Sequence, residues 1–574
     1  MLFILLFILV ACVAATPTLT CPLAGPVFPI PQKAVNSIAW KNATANFTNE
    51  LRKILRPANG TEYTAIDPDL TSFTVQVYSA HDQKPLFEYY HTATSARNNM
   101  IGVNRVDENT VFRVGSVSKL WTVLVLLMES GDAALHEPVY KYIPELEVIV
   151  EHAKGNDTFS DEIDYVKWEE ITIGELASQM AGLERSYGLG DRATNQEPMV
   201  EIGFPELKKA LIPKCGLMPA CERDEYFDGS VSRHPVVPSS SSPVYSNDAY
   251  QLLGYVIEAM AGDRLEKLVN ERLIERLNLT RSSYTKPDDM VGIIPGPIKQ
   301  TAWDTEFGDL TPTGGIYSST KDLSTLGRAI LNHDLLSPAL TRRWMKRVAR
   351  TADRGISVGT PFEIYHLNEP RAIDLFTKSG DIGAYSALIG LSPDHDIGFT
   401  VFAAGERTTP SVAALGDLLS TIIMSGIEEA AKEEATRHFA GTYSTKTDEL
   451  TIATDDGPGL RITEWKNRGK DMLEALATLQ WVKPEGDLDV RLYPTGLKSK
   501  NKISFRAIVT APAPTGPPNG PMTNVCVSWL TVDSPVYGSV AVDEFVFEMG
   551  HGGKVLTVTP RALRTSLSRL TMQT

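Results

Sequence analysis

Zinc-ligand spacing is missing from this chain. Its 5 cysteines and 10 histidines are scattered over 574 residues, and no Cys/His grouping has the intervals of a structural zinc module. A block of lysines and arginines is also missing. With 55 basic against 70 acidic residues the formal net charge is −15, which argues against a nucleic-acid partner. The apolar run Leu2–Val10 is well short of the about 20 residues that a bilayer span takes, so no stable membrane span is expected. No long-period internal repeat is present, so the chain does not read as a repeat array.

What is present begins at the N-terminus. Small residues at Ala11–Ala15 follow the apolar run, which reads as a signal peptide over residues 1–15. No Lys or Arg precedes the run, so a retained anchor is the alternative. Leu9-Val10-Ala11-Cys12 also resembles a bacterial lipoprotein box. Against that stand five N-x-[ST] sequons, at Asn42, Asn46, Asn59, Asn156 and Asn278; behind a signal sequence they favour a eukaryotic, extracellular glycoprotein. Cleavage would remove Cys12 and leave Cys21, Cys215, Cys221 and Cys526. An even number in a secreted chain suggests disulfides. The short loop CGLMPAC favours Cys215–Cys221, which leaves Cys21 for Cys526; unpaired buried cysteines are the other reading.

At 43% hydrophobic and 22% charged, the composition suits a globular protein with a full core, and the length exceeds a single core. The expected division is residues 16–435, with an N-terminal extension, and a smaller all-β domain over 436–574. Phe73–Tyr78 alternates and pairs in the reading with Pro85–His91 as a hairpin. Leu375–Ser379, Ala384–Leu391 and Ile397–Ala403 read as successive strands. Residues 139–370 read as mixed, helical and loop-rich. After His438 the segments Glu449–Thr454, Leu460–Trp465, Leu488–Leu492, Ile503–Val509, Val525–Val532, Glu544–Phe547 and Val555–Val558 read as strands of a barrel or sandwich.

The stretch VFRVGSVSKLWTVLVLLMES, Val111–Ser130, passes from a β-branched run through Gly115-Ser116 into a segment apolar on nearly every side. Such a helix is buried at the centre of its domain. A serine hydroxyl is a poor nucleophile without a nearby base. Positions i and i+3 of a helix share a face, so Ser116 and Lys119 point the same way. A lysine in an apolar setting has its pKa lowered and can serve as a base. The free N–H groups of the helix start suit a developing oxyanion. S-x-x-K alone decides little, since Ser283, Ser318 and Ser499 begin the same pattern, and an N-cap role is the plain alternative for Ser116. Two further elements weigh against coincidence: Tyr245-Ser246-Asn247 is the only Y-x-N in the chain, and Lys378-Ser379-Gly380 the only K-[ST]-G.

These three elements in this order resemble the active-site signature of the serine β-lactamase and penicillin-binding protein superfamily. The Y-x-N form is similar to class C β-lactamases and their esterase relatives, and the whole resembles a eukaryotic, fungal-type β-lactamase-like protein. The resemblance covers about Phe73 to Gly426, and the domain opening at FAGTY resembles an accessory domain of such proteins. It implies an α+β fold, a β-lactamase/transpeptidase-like domain of antiparallel sheet flanked by helices with a helical subdomain, followed by the all-β domain. It implies Ser116 as acyl-accepting nucleophile with Lys119 and Tyr245 in proton transfer. Asn247, Lys378, Ser379, Gly380 and Asp381 are implied as substrate-binding residues, with the N–H groups of Ser116 and Asp381 as oxyanion hole and Lys378 holding a substrate carboxylate. Asp381 departs from the small residue common there; the alternative it opens is a narrowed or recharged site in which, three residues on, it neutralises Lys378. The implied function is a secreted serine hydrolase acting through an acyl-enzyme on an ester, amide or β-lactam bond of a small molecule or peptide, with no metal and no cofactor. An acyltransferase on the same fold and a catalytically silent binding protein are the alternatives.

Overall fold

The computed structural model describes residues 21–56, 65–97, 101–156, 161–217, 219–368, 371–479, 488–510, 520, 522 and 525–570. The expected signal peptide and Asn59 lie outside them. The chain forms two compact units: Ile38–Ile427, and residues 21–37 together with 428–570.

The larger unit is built on an eight-stranded antiparallel sheet. Its strands are β1 (Thr71–Ser79), β2 (Phe87–His91), β5 (Ala349–Arg350), β6 (Ile356–Val358), β7 (Glu363–Leu367), β8 (Ile373–Ile382), β9 (Tyr385–Ser392) and β10 (Ile397–Gly405), while β3 (Val111–Arg113) and β4 (Tyr317–Ser319) form a separate ribbon. The sheet order is β2-β1-β10-β9-β8-β7-β6-β5. The β1/β2 hairpin and the run β8–β9–β10 follow the sequence reading, with registers such as Phe73↔His91 and Lys378↔Ile389. Every residue of β1 and β9 is buried, because helices cover both faces. On one face Thr320–Leu331 sets Thr320 against Thr74, 2.6 Å between hydroxyls, and Ser324 against Thr400. On the other, Phe47 of helix Ile38–Ile54 meets Phe87 edge-on at 5.3 Å. Strands β5–β7 sit inside the region that reads as helix and loop. They are short and interrupted by polar residues, so periodicity does not reveal them.

The helix Ser118–Ser130 carries the apolar segment and is buried from Ser118 through Leu127. Helix Asp248–Ala261, itself apolar on most sides, packs against it. Among the described residues one helical run, 408–439, is long and apolar enough to cross a membrane by length and composition. Its Val412, Leu415 and Leu419 are buried, and its first part packs on β9 and β10.

In the smaller unit β11 (Gly441–Ser444), β12 (Glu449–Ala453), β13 (Leu460–Asn467), β14 (Lys470–Asp471), β15 (Asp489–Ser499), β16 (Lys502–Thr510), β19 (Glu544–Met549), β20 (Val555–Pro560) and β21 (Leu567–Arg569) pair antiparallel; β17 (Val536–Tyr537) and β18 (Val540–Ala541) form a small separate hairpin. The pairing of β12 with β13 closes a ring, so the unit is a barrel. Phe439, Phe505 and Phe547 meet inside it at 4.8–5.5 Å, with Trp465 on Phe545.

Two sequence expectations are corrected here. Val525–Val532 is no strand: Ser528–Thr531 is a helical turn whose Ser528 hydroxyl donates to Pro22 O at 2.9 Å. Residues 21–37 do not extend the larger unit. Val27 and Phe28 join the apolar core of the barrel unit, and the Gln32 and Lys33 amides donate to the Glu434 carboxylate. A Cys21–Cys526 disulfide ties the segment in, and Cys215–Cys221 forms in the larger unit. Asn42, Asn46, Asn156 and Asn278 are exposed.

Candidate active site

From Val111 to Leu127 every residue is buried except Ser116. Strand β3 ends at Arg113, and Gly115–Val117 turns directly into the buried helix. Gly115 takes φ +50°, where a side chain is disfavoured, and a Cβ there would lie 2.8–2.9 Å from backbone atoms of Asp381. The tight turn thus lifts Ser116 out of the core and sets it against β8.

Two side chains converge on its hydroxyl. Lys119 Nζ donates to Ser116 Oγ at 3.2 Å, and Tyr245 OH donates to it at 2.6 Å. Lys119 Nζ also donates to Asn247 Oδ1 and to Thr313 O, each at 2.8 Å. Asn247 is fixed in turn, donating from Nδ2 to Ser186 Oγ at 3.0 Å. The loop of Tyr245 is clamped to residues 179–186: Val244 N–H to Gln179 O, Ser246 N–H to Gln179 Oε1, Ser246 Oγ to Glu184 O, and Asn247 N–H to Arg185 O. Ser246 Oγ also accepts from Ala249 N–H and so caps the following helix.

Burial without a carboxylate partner holds Lys119 down to about 8. Tyr245 feels burial pushing its pKa up, but the ammonium charges of Lys119 and Lys378 outweigh it and hold the phenol at about 8. Lys119 and Lys378 lie 5.1 and 5.5 Å from the Tyr245 ring centre, and the exposed Arg185 guanidinium lies 4.9 Å from it. Behind the loop, Asp248 and Glu184 are buried together. Burial first, and then the charge of Glu184, raise Asp248 well above the usual carboxylate range; burial raises Glu184 too.

Strand β8 supplies the opposite wall. Pairing with β7 stops at Thr377↔Glu363, so Lys378 to Ile382 run on with one edge free of a strand. The closing pair of the β8–β9 hairpin is Ile382↔Tyr385. Antiparallel alternation then turns the N–H groups of Ser379 and Asp381 towards the free edge. A Cβ on Gly380 would lie 2.5 Å from the Ser116 nitrogen and 2.2 Å from Val114 O, so only glycine lets β8 approach the nucleophile turn. The Asp381 carboxylate points away: it accepts from Ser386 Oγ, and from Thr409 Oγ1 at 2.7 Å.

The ion-pair partner of Lys378 is Glu363, not the Asp381 that the sequence offers as an alternative. Lys378 Nζ donates to Glu363 Oε1, and Ser379 donates to Oε2 from both N–H (2.9 Å) and Oγ (2.7 Å). Burial pulls the Lys378 pKa down, and the Glu363 charge more than reverses it. Glu363, Arg185 and Thr313 escape the sequence reading. The signal for Glu363 is its place at the end of the strand that pairs with β8 just before K-S-G, visible only once β7 is recognised.

The other S-x-x-K serines do not acquire this setting. Ser318 Oγ is buried against Ser282 Oγ, Ser283 Oγ donates to Thr285 O, and Ser499 pairs in register with Lys502 at the β15/β16 turn.

The beta-lactamase family profile matches residues 65–420. The chain belongs to the beta-lactamase family. A second profile, described as "Beta-lactamase-like-like, C-terminal domain", matches residues 431–571, the barrel. A beta-lactamase-like protein of Arthroderma benhamiae is 28% identical over 592 residues, covering 95% of each chain. A probable hydrolase, M10, of a Phoma species is 25% identical over 526 residues, covering 85% of this chain and 82% of the relative. Among solved structures, the octameric penicillin-binding protein homologue of Pyrococcus abyssi aligns with TM-score 0.47 and 16% identity over 90% of this chain and 97% of that one.

Proposed function

We propose that the protein is a secreted serine hydrolase working through a covalent acyl-enzyme on Ser116. The observation that carries this is the meeting of Lys119 Nζ and Tyr245 OH on Ser116 Oγ. With the pair one proton short, Ser116 Oγ gives up its proton to it and bonds to the substrate carbonyl carbon. The carbonyl oxygen takes the negative charge, facing the N–H groups of Ser116 and Asp381; removing one such donor typically costs about 10²–10³ in rate. Tyr245 returns the proton to the leaving oxygen or nitrogen as that bond breaks. Water then attacks the acyl-enzyme, passing its proton to the pair, and Ser116 leaves reprotonated. The substrate is an ester, amide or β-lactam of a small molecule or peptide.

A fluorophosphonate should add one label to the native protein and none to Ser116→Ala, read by intact mass. Equal labelling of both rejects the nucleophile. Secretion is supported by the two disulfides and the exposed sequons. Material from the culture medium should lose mass on treatment with an N-glycosidase and yield linked Cys215–Cys221 and Cys21–Cys526 peptides. Free thiols at all four positions reject it.

A further inference from the structure

In the K-S-G strand three donors converge as they would on a bound carboxylate: Lys378 Nζ, Ser379 N–H and Ser379 Oγ. All three are taken by one carboxylate of the protein itself, that of Glu363. Glu363 is the first residue of β7, register partner of Thr377, and its side chain reaches round the free edge of β8 by one and two residues. Lys378 is 2% exposed and Glu363 is 23% exposed. A buried ammonium needs a counter-charge. Here the counter-charge is built in, and the ammonium it holds lies 5.5 Å from the centre of the Tyr245 ring, whose hydroxyl is on the nucleophile.

We propose that Glu363 is a resident occupant of this anion site and selects for substrates with no carboxylate beside the scissile bond, neutral esters above all. The inference rests on the Ser116 reading given under Proposed function. An incoming carboxylate must either displace Glu363 from three donors or lie beside a like charge. Either route disfavours acids, whereas a neutral ester meets neither obstacle. The Asp381 carboxylate offers no compensating donor: it is itself an acceptor, taking hydrogen bonds from Ser386 Oγ and Thr409 Oγ1. Replacing Glu363 by glutamine removes the negative charge, keeps the shape, and leaves Lys378 to accept an external carboxylate.

The test uses the full chain and two probes differing in one group, benzylpenicillin and its methyl ester. The acylation rate of Ser116 by each is followed by intact mass and divided by the same variant's fluorophosphonate rate. Wild type should be acylated at least tenfold faster by the ester than by the acid. In Glu363→Gln the acid/ester ratio should rise at least tenfold, and Lys378→Ala added to it should abolish the rise. A wild type that prefers the acid overturns the proposal even if the variant fails to fold. A ratio unchanged in a labelled Glu363→Gln also overturns it. Wild type that takes neither fluorophosphonate nor penicillin instead brings down the Ser116 reading, and this proposal with it.

Discussion

The phenolic oxygen of Tyr245 lies 2.6 Å from Oγ of Ser116, across 129 positions of chain. Tyr245→Phe removes the O–H and keeps the ring against Lys119. Proton transfer by a positioned group contributes about 10²–10⁴-fold, so kcat/KM for a p-nitrophenyl ester should fall by about that factor. The acyl-enzyme should also accumulate in intact-mass spectra, because deacylation uses the same group. A fall below threefold removes Tyr245 from the chemistry.

Lys119 and Tyr245 both titrate at about 8. They share one site, so the proton loss belongs to the pair. Below that pH both are protonated and Ser116 has no base. The value of kcat/KM for a neutral ester should therefore rise with pH through an apparent pKa near 8. A profile flat from pH 6 to 9 would show that neither group limits acylation.

Gly380→Ala places a methyl group 2.5 Å from the Ser116 nitrogen and 2.2 Å from Val114 O. Either β8 or the nucleophile turn must shift, spoiling the paired N–H groups. The fluorophosphonate rate should drop by about 10²–10³, with the protein still folded by circular dichroism. Retention of the wild-type rate means that β8 does not take part in the oxyanion site.

Glu184 and Asp248 are acids whose buried positions hold their pKa values above those of the unfolded chain, burial being the leading cause for both. Stability from such groups is full below the unfolded carboxylate range, about 4, and is lost as pH rises through the raised folded values. Glu184→Gln removes one of the two charges. Its melting temperature should exceed that of wild type at pH 8 and converge with it near pH 4. A variant less stable than wild type at pH 8 would mean that the ionised pair holds the tyrosine loop in place.

The three motifs were legible because each is a local pattern with a local cause. Ser116-x-x-Lys119 lies at a helix start, Tyr245-x-Asn247 before a helix, and Lys378-Ser379-Gly380 on a strand whose alternation is plain. The antiparallel run β8–β9–β10 was legible for the same reason, as was the all-β character of the C-terminal region. What stayed hidden depends on pairing between distant segments. Glu363 matters because β7 stops where β8 continues, and nothing in PFEIYHL announces that neighbour. Arg185 reaches the Tyr245 ring only because the 179–186 segment clamps the tyrosine loop. Val525–Val532 has the composition of a strand, but Cys526 and Ser528 are bound to the N-terminal segment. The same pairing joins residues 21–37 to the barrel unit, which no local pattern in the sequence signals.

The larger unit is contiguous from Ile38 to Ile427, whereas the smaller one is assembled from the two ends of the chain around it. Translation therefore treats them differently. The catalytic unit can close as soon as its last helix leaves the ribosome. Residues 21–37 precede the larger unit and must wait for a barrel that follows it, with Cys21 and Cys526 separated by 505 positions. At about 5–20 residues per second, that interval is on the order of half a minute or longer. Cys215 and Cys221, only 6 positions apart, emerge within that interval. Their proximity lets the short loop close before Cys21 can compete for either sulfur.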